Sequence, residues 1–119
     1  MDSETIRSAY KALQSSRNSE AVVRLRLTEQ VRDQVLEKAI QLGVTFGECH
    51  RIALNKFLDR LEEEKYDFPE VENQPKTKCI TVRVNSMTLE RIQKICIMYG
   101  VSRSHCVREA IFCFLEGAI

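Results

Sequence analysis

The chain has 119 residues, the size of one ordinary domain, and an apolar share of 44%, which is that of a folded protein able to bury a core without disulfides or a metal. No apolar run approaches the roughly 20 residues that a membrane span needs, so a membrane partner is not expected. The net charge of +1 hides a segregation: residues 59–72 carry Arg60 and Lys65 against Asp59, Glu62, Glu63, Glu64, Asp67, Glu70 and Glu72, and without that stretch the chain is +6. The run Glu62–Glu64 reads as a solvated helix end, so its charge need not face a ligand.

In chain order, residues 1–20 read as an N-terminal arm. They are polar and mixed in charge, unlike a signal peptide, and Ile6, Ala9, Tyr10 and Leu13 have the spacing of a helix over residues 3–15. Residues 21–66 form a first unit. Val23, Leu25 and Leu27 alternate with Arg24 and Arg26, which predicts a strand with one buried face. Thr28 is a good N-cap for a helix whose stripe is Val31, Val35, Ala39 and Leu42, and Gly43 ends it where the left-handed region is needed. Thr45 caps a second helix and makes a capping-box pattern with Glu48. Cys49, Ala53 and Phe57 line one face of that helix, which is predicted to run through Leu61 toward Tyr66. Residues 67–77, acidic and carrying Pro69 and Pro75, read as a linker. Residues 78–119 form a second unit. Ile80, Val82 and Val84 alternate with Thr81 and Arg83; Asn85 caps a helix striped by Thr88, Ile92, Cys96 and Tyr99; Gly100 ends it. Ser102 then caps a helix with Cys106, Ala110 and Phe114 on one face.

The two units are copies. A shift of 57 residues aligns 22–58 with 79–115 without a gap, and Arg26/Arg83, Ile40/Ile97, Gly43/Gly100, Val44/Val101, Cys49/Cys106, Arg51/Arg108, Ala53/Ala110, Phe57/Phe114 and Leu58/Leu115 are identical pairs. Two copies are too few for a solenoid, so a pseudo-twofold pair is expected. One strand needs a partner for its backbone groups, and a unit of about 40 residues has too little core alone. The expected fold is therefore mostly α, with the two strands paired as an antiparallel ribbon and four helices packed on its apolar face. The pattern admits pairing of the copies either within one chain or between two.

Other chemistries find little support. The five cysteines, Cys49, Cys79, Cys96, Cys106 and Cys113, are odd in number and lack a Cys-x-x-Cys pair, which fits a reducing cytoplasm and core thiols. In Cys49-His50 and His105-Cys106 the neighbours point about 100° apart on a helix, so no metal site is expected. No catalytic triad, paired-carboxylate cleft or glycine-rich phosphate loop is evident, so neither an enzyme, nor a cofactor, nor a small-molecule ligand is expected.

The outer face of the ribbon would present Arg24, Arg26, Thr81 and Arg83. A two-stranded ribbon fits the major groove of B-DNA, arginine pairs bidentately with guanine, and threonine bonds a base edge or packs on a thymine methyl. The starts of the second helices suit phosphate. The segments ITVRVN and GVSRSHCVREAIFCFL closely resemble the ribbon–helix–helix DNA-binding family of the Arc/MetJ type. The resemblance implies base reading by Arg24, Arg26, Thr81 and Arg83 and phosphate contacts from Thr45, Ser102 and Ser104, with Arg103 and Lys78 as further phosphate contacts. Cys79 also falls on the outward face. The copies cover 74 of 119 residues, and the first has Phe46–Gly47 where the second has Arg103–Ser104, a departure that touches its phosphate clamp.

The expected function is sequence-specific binding of double-stranded DNA by a transcriptional regulator or repressor, in the cytoplasm at a prokaryotic nucleoid or plasmid. The tandem form also resembles relaxosome accessory proteins of F-type conjugative plasmids. A third reading is an antitoxin-like protein-interaction module; against it, the sequence ends at Ile119, directly after the second helix, although residues 1–20 could serve as a docking arm.

Overall fold

The computed structural model describes residues 21–69 and 76–119; the expectations for the arm at 1–20 and for the middle of the linker lie outside these residues. The element order is β1 (Ala21–Leu27), α1 (Glu29–Leu42), α2 (Phe46–Glu63), β2 (Lys78–Val84), α3 (Ser86–Tyr99) and α4 (Arg103–Leu115). The architecture is mostly helical with one two-stranded antiparallel sheet, and the strands pair within the single chain.

Both strands alternate between exposed and buried positions. Val23, Leu25, Leu27, Ile80, Val82 and Val84 form the buried face, as period-two patterning demands when only one side of a sheet is covered. Each helix starts where the sequence places its cap. Thr28 accepts from the Val31 amide at 3.2 Å and Asn85 from the Thr88 amide at 2.8 Å. α1 and α3 end on Gly43 (φ 68°) and Gly100 (φ 66°), a conformation that costs a residue with a Cβ about 1–2 kcal/mol.

The units interleave. α4 packs on β1 and α2 packs on β2, while α2 and α4 pack on each other. The core therefore draws on both units at once: Leu54, Phe57 and Leu58 of α2 lie with Val107, Ala110 and Ile111 of α4 beneath the ribbon. The Arg108 guanidinium ties the layers together by donating through Nε to the Arg26 carbonyl at 3.2 Å.

Several sequence expectations need correction. α2 runs through Leu61, as expected, but stops at Glu63, short of Tyr66. Three successive glutamates at its C-terminus oppose the helix dipole, and Tyr66 gains more by turning back onto the body. There its ring packs edge-on against Phe57 at 5.2 Å and its amide donates to the Tyr99 hydroxyl at 3.2 Å. Phe68 joins the same cluster, with ring centroids 5.1 Å from Tyr99 and 5.5 Å from His105. The start of the linker is thus anchored in the core. Leu42, read as part of the α1 stripe, is 46% exposed, and in α3 the buried pair is Ile92 and Ile95.

Among the described residues, two polar or charged side chains, His50 and Glu109, are buried. Glu109 accepts from the Tyr66 hydroxyl, which also lies 3.3 Å from Cys113 Sγ. Burial, and then hydrogen bonding to Cys113 and Glu109, pushes the Tyr66 phenol well above its ordinary range, so it stays a proton donor. His50 is 1% exposed and stands edge-on to Phe46 at 4.3 Å. All five cysteines are free thiols; Cys49, Cys106 and Cys113 are buried, and burial pushes Cys106 up to about 12. Among the described residues, no helix is long and apolar enough to cross a membrane, and no group of three or more His, Cys, Asp or Glu could hold a metal ion.

Candidate nucleic-acid interface

The outward face of the ribbon consists of Val22, Arg24 and Arg26 from β1 and Cys79, Thr81 and Arg83 from β2, all exposed. The register sets them in three rows: Val22 beside Arg83, Arg24 beside Thr81, and Arg26 beside Cys79. Neither strand contains an acidic residue. The four residues expected on this face are therefore together on it. Val22, at 41% exposure, belongs with them, although its apolar character hides it among the core residues in a sequence reading; its odd step in the alternation is the signal that finds it.

The ribbon is held from behind. The apolar residues of the inner face fix which side chains point outward, because a one-residue slip would bury the arginines. Arg108 fastens the end of β1 to α4. Arginines on such a strand are pre-aimed by the backbone, which lowers the ordering cost of any contact they make.

The starts of α2 and α4 carry the remaining candidates. Thr45 Oγ1 accepts from the Glu48 amide at 3.1 Å, and Ser102 Oγ accepts from the His105 amide at 3.1 Å. Ser104 Oγ lies 3.2 Å from Ser102 Oγ, and Arg103 is exposed beside them. Both caps leave the first-turn amides of their helices, at Phe46–Gly47 and Arg103–Ser104, without an intrahelical partner, which is the arrangement that favours an anion.

Where α2 lacks the equivalents of Arg103 and Ser104, a different cation is present. Gly47 leaves room for Arg51, whose Nη1 would lie 3.3 Å from a Cβ at that position, so the guanidinium lies over the first turn of α2. The repeated arginine thus serves two purposes: Arg108 fastens a strand and Arg51 adds charge to a helix start. The sequence signal was the identical pair itself, and only the packing separates the uses. Lys78 does not join the reading face. It has the parity of the inner residues, is half-buried, and sits opposite Leu27 at the end of the ribbon.

Three carboxylates of the acidic stretch, Asp59, Glu62 and Glu64, are engaged away from the start of α2. Arg91 of α3 forks between two carboxylates of α2, with Nε donating to Glu62 Oε1 and Nη2 to Asp59 Oδ1, each at 2.7 Å. Arg60 pairs with Glu64 at 3.8 Å. At 1.5 Å per residue, Asp59 lies about 20 Å along α2 from Phe46, so these charges are remote from the helix start.

No curated protein and no solved structure matches the chain. Residues 78–112, which run from the start of β2 through most of α4, match the family described as "Ribbon-helix-helix protein, copG family", so this strand–helix–helix segment is similar to a ribbon–helix–helix unit.

Proposed function

We propose that the chain binds double-stranded DNA sequence-specifically, with the β1–β2 ribbon in the major groove, and acts as a transcriptional regulator. The observation that carries this reading is the outward ribbon face: three arginines and a threonine on two strands without an acidic residue, backed by an apolar inner face. Strands about 4.8 Å apart, with their side chains, suit a groove about 12 Å wide. In this reading, residues 21–66 and 78–119 are tandem ribbon–helix–helix copies related by a pseudo-twofold axis through the ribbon. Two facts support that. Arg24 and Thr81, equivalent in the sequence repeat, are direct partners in the ladder, and both strands share one burial pattern.

Arg24, Arg26, Thr81 and Arg83 read bases. Thr45, Ser102, Ser104, Arg103 and Arg51 hold phosphates at the two helix starts, which flank the ribbon and fix its register without reading sequence. Lys78 reaches a phosphate only by extending its stem past the ribbon's end.

The test is enrichment of bound duplexes from a random pool, followed by electrophoretic titration. Arg26→Ala and Arg83→Ala are each expected to cost about 1–3 kcal/mol on the enriched site and to relax preference at particular base pairs. Wild-type affinity in both variants would refute the ribbon assignment. The same chemistry serves an accessory protein at a conjugative plasmid origin, and mapping the enriched site to a promoter or to an origin of transfer separates the two roles.

A further inference from the structure

The sequence repeat sets Arg24 and Arg26 against Thr81 and Arg83, as if the two halves of the reading face differed throughout. The register redistributes that difference. In the two outer rows an arginine stands beside a small apolar or soft residue: Arg83 with Val22 at one end, Arg26 with Cys79 at the other. Under the exchange of the two copies these rows map onto each other, because Val22 corresponds to Cys79 and Arg26 to Arg83. Only the central row, Arg24 beside Thr81, pairs unlike residues at equivalent positions. We infer that the DNA target has matching arms in inverted orientation and an asymmetric centre, with Arg24 and Thr81 as the residues that give the complex its direction.

This rests on the DNA-binding reading above. Successive outward residues on a strand are about 6.8 Å apart, twice the rise of a base step in B-DNA, so the outer rows meet bases about two steps either side of the centre. At each arm the arginine takes a guanine through O6 and N7, and the small neighbour packs on a thymine methyl. At the centre Arg24 again takes guanine on its side, while Thr81 offers a hydroxyl and a methyl, which suit an A·T pair. The other break in symmetry, Phe46–Gly47 with Arg51 against Arg103–Ser104, lies at helix starts whose partners are phosphates. It alters affinity without altering base preference.

The experiment enriches duplexes with the full chain in three forms: wild type, Thr81→Arg and Arg24→Thr. Both substituted residues are exposed, so matched thermal unfolding verifies that the fold is intact. Wild type is expected to enrich two guanine-containing arms in inverted orientation around a non-palindromic centre. Thr81→Arg is expected to enrich the same arms around a centre symmetric in guanine, and Arg24→Thr the same arms around a centre symmetric in A·T. Each variant should bind the wild-type site about tenfold more weakly or worse. Arms that differ from each other in the wild-type site, or a centre unchanged by Thr81→Arg, would overturn this inference and leave the DNA reading standing. Failure to enrich any duplex with wild type overturns both.

Discussion

His50 offers a sharp test of how the two units share one core. Its ring is 1% exposed, and Nε2 is buried without a hydrogen-bond partner. The equivalent position in the second copy is Val107, also fully buried. Burial, opposed by a backbone hydrogen bond at Phe46 and reinforced by nearby Arg51, holds the imidazole below its ordinary value of 6.5. A base with a depressed folded-state value is kept neutral by folding. Its contribution to stability is therefore complete above about pH 6.5 and is lost as the pH falls through the folded-state value, with a slope of at most about 1.4 kcal/mol per pH unit. At neutral pH the bare Nε2 still costs about 1–3 kcal/mol in lost solvation. Replacing the ring by an apolar group of similar volume removes both effects. His50→Leu is expected to raise stability at pH 7.5 by about 1 kcal/mol, or about 4 °C in Tm, and to flatten the decline between pH 7 and pH 5. Urea titrations of both proteins at pH 7.5 and pH 5 measure this. Parallel losses in the two proteins on acidification, or a destabilised variant at pH 7.5, would refute the assignment of His50 as a buried, neutral, under-bonded side chain.

Three further outcomes follow from the packing. Tyr66→Phe leaves the buried Glu109 carboxylate without the tyrosine hydroxyl and should cost about 1–3 kcal/mol by urea denaturation; a neutral result would mean the carboxylate finds another partner. Gly43→Ala and Gly100→Ala each force a Cβ into the left-handed region and should cost about 1–2 kcal/mol in thermal unfolding, although nothing lies within 4 Å of either added methyl. Arg51→Ala should weaken DNA binding evenly across sequences and lower the slope of log affinity against log salt by about 1; a change in base preference would place Arg51 at a base instead of a phosphate.

The parts of the fold that depend on neighbours within four residues were legible in the sequence. Alternation placed both strands, and Thr28, Thr45, Asn85 and Ser102 marked the helix starts because a cap bonds an amide only three residues away. Gly43 and Gly100 marked the ends of α1 and α3 for an equally local reason. The outward positions of Arg24, Arg26, Thr81 and Arg83 came from the same period of two. The end of α2 was not legible in this way. Its turn back at Glu63 depends on Phe57, Tyr99 and His105, which lie in three different helices, and on Tyr66 reaching a glutamate 43 residues away.

The same division applies to the candidate interface. By itself the sequence shows that residues 22–58 and 79–115 align at a shift of 57, that each segment puts basic residues on one side of a strand, and that the acidic charge is concentrated between them. Only the tertiary structure decided which residues stand side by side. Strand register set Arg24 against Thr81 and left the outer rows alike, and helix packing put Arg51 over the first turn of α2 but Arg108 against the Arg26 carbonyl, although the two align in the repeat. The physical reason is range. Propensity, capping and alternation act within a turn or a pleat, whereas register and interdigitation are settled by the shared core of two segments 57 residues apart, where burying Leu25 against Ile80 and Val23 against Val82 admits a single alignment of everything on the opposite face.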